Sequence, residues 1–342
     1  MKIAQIAPLM ESVPPQSYGG SERIVSYLTE ELVALGHEVT LFASGKSKTQ
    51  GDLSPCTDDP LRLKPDVTDI IPHHLVMLER VRQRADEFDL LHFHIDQFHF
   101  PIFRGMAGKT LTTLHGRQDL PDLKTLYSTF NDMPLISISE EQRKPISCAN
   151  FVSTIYHGLP KDLLRPNFAP NKDHLAFLGR ICPEKRPDLA IEIARRAGLR
   201  LRIAAKIDPV DETYFSEAIQ PLLSDSSVDF VGEIGDEAKT PFLGEAAALL
   251  FPIDWPEPFG LVLIEAMACG TPVLAFRRGS TSEIVEPGVT GMLVDTVDEA
   301  VAAIPRLLSL DRRIIRQRFE QRFTARRMAN DYCRVYEQML SR

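Results

Sequence analysis

This sequence is short of several things, and each shortage excludes a class of protein. Its 5 cysteines in 342 residues (Cys56, Cys148, Cys182, Cys269, Cys333) are scattered and contain no C-x-x-C. That gives no basis for a disulfide framework or a zinc ribbon, and it fits a reducing, cytoplasmic setting. No apolar run reaches the roughly 18 residues of a membrane-spanning helix. The opening MKIAQIAPL reads as a buried strand, too short for a signal peptide. Basic residues are outnumbered, 39 Lys+Arg against 47 Asp+Glu, for a net charge of −8. Sequence-independent binding of nucleic acid is therefore not expected, and an anionic substrate would have to be held by local cations or helix ends. A G-x-S-x-G elbow, a Walker A loop, H-E-x-x-H and G-x-G-x-x-G are all missing. The commonest hydrolase, NTPase and dinucleotide-binding readings thus lack support.

What is present is ordinary globular composition, 44% hydrophobic and 25% charged, over a length that suggests about two domains. A strand at Ile3 to Ala7 is followed by a Gly-containing loop, and Ile24, Leu28, Leu32 and Leu35 then recur at helical spacing, with Gly36 placed to stop the helix. The next strand, Val39 to Ala43, completes a βαβ unit. Leu90–Ile95, Thr110–Leu114 and Leu135–Ser139 read as further strands of the same parallel sheet. After Pro170 a second series begins: Leu175–Leu178, Leu201–Ala205, Phe230–Val231, Leu250–Ile253, Val273–Ala275 and Met292–Val294. Helices are expected between them, for example Asp188–Ala197 and Glu212–Leu223. Tyr156 to Pro170, with three prolines and one glycine, is the best linker. The fold class is α/β, with two doubly wound, Rossmann-like domains expected to face each other across a cleft. The boundaries are set at 1–160, 161–324 and a terminal helix, 325–342. In such sheets ligands sit at the carboxyl ends of the strands.

The most informative segment runs from Glu257 to Ala275, in which Glu257 and Glu265 are separated by seven residues. Pro258 and Gly260 disfavour helix, whereas Leu261 to Cys269 favours it, so Glu257 belongs on a loop and Glu265 within a helix. Free N–H groups around Gly260, Leu261 and Val262 would form an anion site, with one carboxylate on each side to accept hydroxyls. Arg180 and Lys185 lie in the loop after a strand, where two cations can neutralise a diphosphate. Tyr18-Gly19-Gly20 follows the first strand and permits close backbone approach to a ligand. His115 ends a strand and is either a ligand contact or a satisfied structural histidine. His92 and His94, with Asp96 and His99 nearby, raise a metal reading. The favoured alternative sets Leu91, Phe93 and Ile95 on one face and turns the histidines toward a cleft or a helix. Arg306 to Arg327 holds eight arginines against Asp311 and Glu320. It is expected to form a solvated face of the C-terminal helices, a basic helix on a membrane surface being the alternative.

Taken in order, these motifs resemble the retaining glycosyltransferases of family 4, with the GT-B fold. The likeness runs through Tyr18–Glu22, Leu114-His115-Gly116, Ser137–Ser139, Tyr156-His157-Gly158, Gly179-Arg180…Lys185, Val231-Gly232-Glu233 and Glu257…Glu265-Ala-Met-Ala-Cys-Gly-Thr-Pro-Val. The resemblance implies that Arg180 and Lys185 bind the donor's diphosphate, Glu265 the ribose and Glu257 the donor sugar. It places the amides of Phe259, Gly260, Leu261 and Val262 against sugar and phosphate, Gly19 and Gly20 over the donor, His115 near the reacting carbon and Ile234 by the base. It implies a helix from about Ala325 to Leu340 that returns to the first domain. It also implies transfer of a hexose with retention, without metal or other cofactor, onto a hydroxyl of a glycan, a lipid-linked glycan or a small acceptor. UDP-glucose is the favoured donor and GDP-mannose the next; peripheral contact with the inner face of a membrane is compatible with such acceptors. A non-catalytic nucleotide-sugar-binding protein and an epimerase or sugar-phosphate transferase are the competing classes. Two departures stand out: Arg186 where the family often has glycine, and His157-Gly158 where Asn-Gly is usual.

Overall fold

The computed structural model describes residues 1–16 and 19–341, so Tyr18 lies outside the described residues. The chain divides into two compact units, Met1–Pro160 with Thr324–Arg342, and Lys161–Phe323. Thr324, which the sequence left with the second domain, groups with the first. The reason is local: its hydroxyl accepts the N–H of Arg327 and so caps the helix Ala325–Leu340.

The first unit is built on seven strands: β1 (Lys2–Ile6), β2 (Glu38–Ser44), β3 (Asp52–Thr57), β4 (Leu90–Phe93), β5 (Thr110–Thr113), β6 (Leu135–Ser137) and β7 (Phe151–Thr154). They run parallel in the order β3-β2-β1-β4-β5-β6-β7. The sequence pattern missed β3, Asp-Leu-Ser-Pro-Cys-Thr, because it has no apolar run and contains Pro55. Proline is tolerated at an edge, which is where β3 lies. The second unit holds β8 (His174–Arg180), β9 (Arg200–Lys206), β10 (Val228–Gly232), β11 (Leu249–Phe251), β12 (Val273–Phe276) and β13 (Gly291–Val294), ordered β10-β9-β8-β11-β12-β13 and again parallel. The central strands β11 and β12 are continuously apolar and buried because helices cover both faces there. In each sheet the strand order reverses once, between β1 and β4 and between β8 and β11. A crevice forms beyond the carboxyl ends of such a pair.

Two expectations fail. Glu212–Leu223 is not one helix: an α turn (Glu212–Tyr214) passes into a π segment (Phe215–Ile219) and then a 3-10 segment (Gln220–Ser224). Pro221 has no N–H to offer the carbonyl four residues back, so the α pattern does not continue through it. The arginines of the C-terminal segment are also not simply a solvated face. Arg312 and Arg316 are buried. Arg312 donates to Gly244 O and Ala246 O at 3.0 Å each and to the Thr271 hydroxyl. Arg316 donates to Ala268 O at 2.6 Å, Lys161 O at 2.7 Å and Leu164 O at 3.0 Å. Helix ends leave carbonyls without intrahelical partners, and a five-donor guanidinium meets several at once. Burial pushes the Arg312 guanidinium down to about 10. In the first unit Arg327 does the same for Tyr156 O and His157 O. Among the described residues no helix is long and apolar enough to cross a membrane.

Candidate functional site

In the second unit the sequence motifs converge on the carboxyl ends of β8, β10 and β11. Arg180 is the last residue of β8, and the 3-10 turn Pro183–Lys185 follows it. Beyond β11 the chain runs through Trp255 to Glu257, which is 8% exposed. Lys185 Nζ forms an ion pair with Glu257 Oε2, and Trp255 Nε1 donates to the same oxygen at 3.0 Å. The Lys185 ammonium also lies 4.7 Å from the Trp255 ring centre and 5.5 Å from that of Phe251. Trp255, the single tryptophan of the chain, thus holds both members of the pair. Sequence reasoning passed it over, although its position two residues before Glu257 was the available signal.

Gly260 caps the helix Leu261–Ala268 in a left-handed conformation, so Leu261 and Val262 bring the first N–H groups of that helix to the loop. Buried Phe259 packs edge-on to Phe323 and accepts the Ser280 hydroxyl at its carbonyl, 2.8 Å away. At the far end, Gly270 N–H reaches Met267 O and Thr271 N–H reaches Ala266 O, both at 2.9 Å, which is the paired ending expected of a left-handed glycine at φ 74°. Glu265 is buried within this helix and meets Lys239 Nζ at 2.6 Å. Ile234 lies half-buried in the loop after β10.

Arg180 Nη1 stands 3.4 Å from Asp208 Oδ2, and Lys206 reaches the other oxygen at 2.8 Å. Lys206 above all holds the Asp208 carboxyl below its usual range, with Arg180 adding to the effect. Arg186 adopts φ 53°, the conformation that favours glycine and explains the family's usual residue there. Its guanidinium pairs with Asp188 at 2.8 Å, so it is engaged within the loop and helix start.

The first unit brings together a different set. Gly19 and Gly20 open the helix Gly20–Ala34 beyond β1. Beyond β4 and β5, His94 Nδ1 meets His115 Nε2 at 2.9 Å, while His94 Nε2 meets Gln5 Oε1 at 2.7 Å. An amide oxygen only accepts, so His94 Nε2 carries the proton, His94 Nδ1 accepts, and His115 Nε2 donates. Among the described residues no group donates to His115 Nδ1, which is then an enclosed lone pair. His92 faces the terminal helix, with Nδ1 2.8 Å from the Tyr336 hydroxyl and Nε2 2.8 Å from the Thr113 hydroxyl, which in turn meets Tyr332. The helix-facing alternative holds for His92; among the described residues no group of His, Cys, Asp or Glu side chains is arranged to hold a metal.

Burial dominates the protonation of this cluster. It lowers His92, His94, His99 and His157 well below the usual imidazole range and His115 to about 4. Asp96, at φ 49° beside the main chain of His115, is raised to about 6 by the same cause. The unfolded chain takes up protons below pH 6.5 that these native imidazoles refuse, so stability present above 6.5 is lost as pH falls toward 4. At about 1.4 kcal/mol per pH unit, His115 alone accounts for about 3 kcal/mol, and Asp96 opposes it below pH 6. Thermal melts are therefore expected to fall between pH 7 and 5. An unchanged melting temperature would show that these imidazoles charge freely in the native state.

Two family models match the chain: "Glycosyltransferase Family 4" over residues 18–144 and "Glycosyl transferases group 1" over residues 162–326. A D-inositol 3-phosphate glycosyltransferase of Arthrobacter sp. (strain FB24) is 26% identical over 84% of this chain and 80% of that enzyme. The enzyme of that name from Mycobacterium avium (strain 104) is 31% identical over 52% of this chain, and the match spans 46% of its own length. Among solved structures, AviGT4, a glycosyltransferase involved in avilamycin A biosynthesis, superposes with TM-score 0.77 at 25% identity, covering 100% of this chain and 98% of that one. Anabaena HepE, solved with UDP and glucose, superposes with TM-score 0.75 at 20% identity, covering 99% and 100%. With a family model on each unit and the topology shared from end to end, the chain belongs to glycosyltransferase family 4 and is a sugar-transferring enzyme of the GT-B fold.

Proposed function

We propose that the enzyme moves a hexose, glucose from UDP-glucose, onto a hydroxyl of a glycan, a lipid-linked glycan or a small acceptor, with retention at the anomeric carbon. The observation that carries this reading is the cluster at the carboxyl ends of β8 and β11. There Arg180, Lys185 and the helix start at Leu261 supply positive charge for a diphosphate, and Glu257 and Glu265 supply acceptors for hydroxyls. The UDP complex of the similarly folded HepE supports the choice of base.

Negative charge develops on the leaving diphosphate, and preorganised cations stabilise it without reorganising at the moment of reaction. Arg180 turns from Asp208 to the phosphates, and Lys206 remains to neutralise Asp208. Glu257, braced by Lys185 and Trp255, orients the sugar. The acceptor attacks from the face that the diphosphate leaves, and a phosphate oxygen takes its proton. Fixed cations supply the electrostatic role often filled by a metal.

Three measurements test the reading. In a thermal-shift panel of UDP, GDP, ADP and their sugars, UDP and UDP-glucose should raise the melting temperature most, because a ligand that binds only the native state stabilises it. A response to GDP and GDP-mannose alone would replace the donor. Proton NMR of the first-formed product should show the donor's anomeric configuration, and an inverted product would overturn the mechanism. Turnover should survive EDTA; strict dependence on Mn²⁺ would remove the cationic role given to Arg180 and Lys185.

A further inference from the structure

The helix Asp236–Glu245 carries none of the residues that sequence motifs single out, yet it sends a lysine to the buried glutamate of the site. Lys239 Nζ lies 2.6 Å from Glu265 Oε1 and 3.1 Å from Asp236 Oδ1, with the Lys239 and Glu265 side chains only 15% and 6% exposed. Glu265 is flanked in its own helix by Ile264 and Ala266, which offer it nothing. Among the described residues, Lys239 is the cation that faces it. The position follows from the topology: the loop Gly232 to Gly235 leaves the carboxyl end of β10, and the helix begins at Asp236, so its first turn lies at the same end of the sheet as the start of Leu261–Ala268.

A carboxylate accepts hydrogen bonds and donates none. With an ammonium on Oε1, the Glu265 side chain is held in one orientation, and its remaining lone pairs can each take a hydroxyl. Two neighbouring hydroxyls of a furanose present that pair of donors. If one is missing, an enclosed acceptor stays unpaired, and such sites reject the deficient ligand much more strongly than an apolar pocket rejects a methylene. Without Lys239, the enclosed carboxylate would lose its ion-pair partner and its geometric anchor.

We propose that Lys239 is a positioning residue that, by orienting Glu265, makes the enzyme select a ribonucleoside over a 2′-deoxyribonucleoside diphosphate. The proposal rests on Glu265 as the ribose-binding residue. Calorimetric titration with UDP and 2′-deoxy-UDP tests both, using GDP or ADP and its deoxy form if the panel selects that base. The wild-type enzyme should prefer UDP by roughly tenfold or more. Lys239→Met should bring the ratio close to one, mainly by weakening UDP, and Lys239→Arg should restore it. Lys239→Gln serves if the methionine variant does not fold. Equal weakening of both nucleotides in the Met or Gln variant would show a merely structural lysine and overturn the proposal. Glu265→Gln separates the two levels: if it keeps the wild-type ratio, the ribose reading itself fails. If Glu265→Gln abolishes the preference and Lys239→Met preserves it, only the role of Lys239 fails. A wild-type enzyme that binds neither nucleotide, or binds both alike, overturns both.

Discussion

Arg180→Ala is expected to lower kcat by roughly 10²-fold or more, the loss typical of removing one preorganised group from a developing charge. The position makes this a test of chemistry. Arg180 ends β8, and Asp208 Oδ2 lies 3.4 Å from its guanidinium. Asp208 keeps Lys206 at 2.8 Å when the guanidinium is gone, so that carboxylate is not left without a cation. The melting temperature of the variant should therefore stay close to that of the wild type. Lys185→Ala would be less clear, because it strips Glu257 of its ammonium and Trp255 of its cation. Steady-state kinetics with saturating donor, set beside a melt of the same preparation, makes the comparison. A normal kcat in a folded Arg180→Ala protein would remove Arg180 from leaving-group stabilisation.

The second large effect is expected at a glycine outside every motif. Gly279 adopts φ 54°, and a Cβ there would sit 2.4 Å from both the N and O of Glu257 and 2.7 Å from the carbonyl carbon of Pro256. These are backbone atoms, so no rotamer change relieves the contact. Ser280 N–H, the next donor along, bonds Glu257 O at 2.9 Å and ties the two loops together. Gly279→Ala must push the Glu257 loop away, and a displacement of about 1 Å at a positioned reactant can cost about 10²-fold in rate. Left-handed strain adds about 1–3 kcal/mol of destabilisation. Kinetics and a denaturant melt measure the two effects. A variant with wild-type activity would show that the Glu257 loop has freedom the packing denies it.

The Glu257 loop also shows where sequence patterning stops. The helix Leu261–Ala268, its glycine ending and its start at Gly260 were legible because each is a local property of spacing, proline and glycine. Apolar runs mark the ends of β5 and β8 only to within one or two residues: Arg180, expected in the loop, is the last residue of β8, and β5 stops at Thr113, two residues before His115. The edge strand β3 was not legible, because an edge needs neither an apolar run nor freedom from proline. The arginines of Arg306–Arg327 read as charge, and charge alone says nothing of whether helix-end carbonyls await them. Asp208 and Lys239 enter the site from separate segments, and no spacing rule connects them to Arg180 and Glu265.

The near-absence of usable cysteine chemistry, the lack of a long apolar run and the acidic balance narrowed the protein class by exclusion. The strand–helix alternation and the Glu257…Glu265 motif then determined two doubly wound units and a glycosyltransferase resemblance. Those are local signals, carried by residues a few positions apart. Only the tertiary structure decided which charge meets which: Lys185 with Glu257, Lys239 with Glu265, Arg180 with Asp208, and Gln5 with the histidines behind His115. Such pairings depend on which strand lies beside which in a parallel sheet, and crossover connections bring together residues that are remote in the chain.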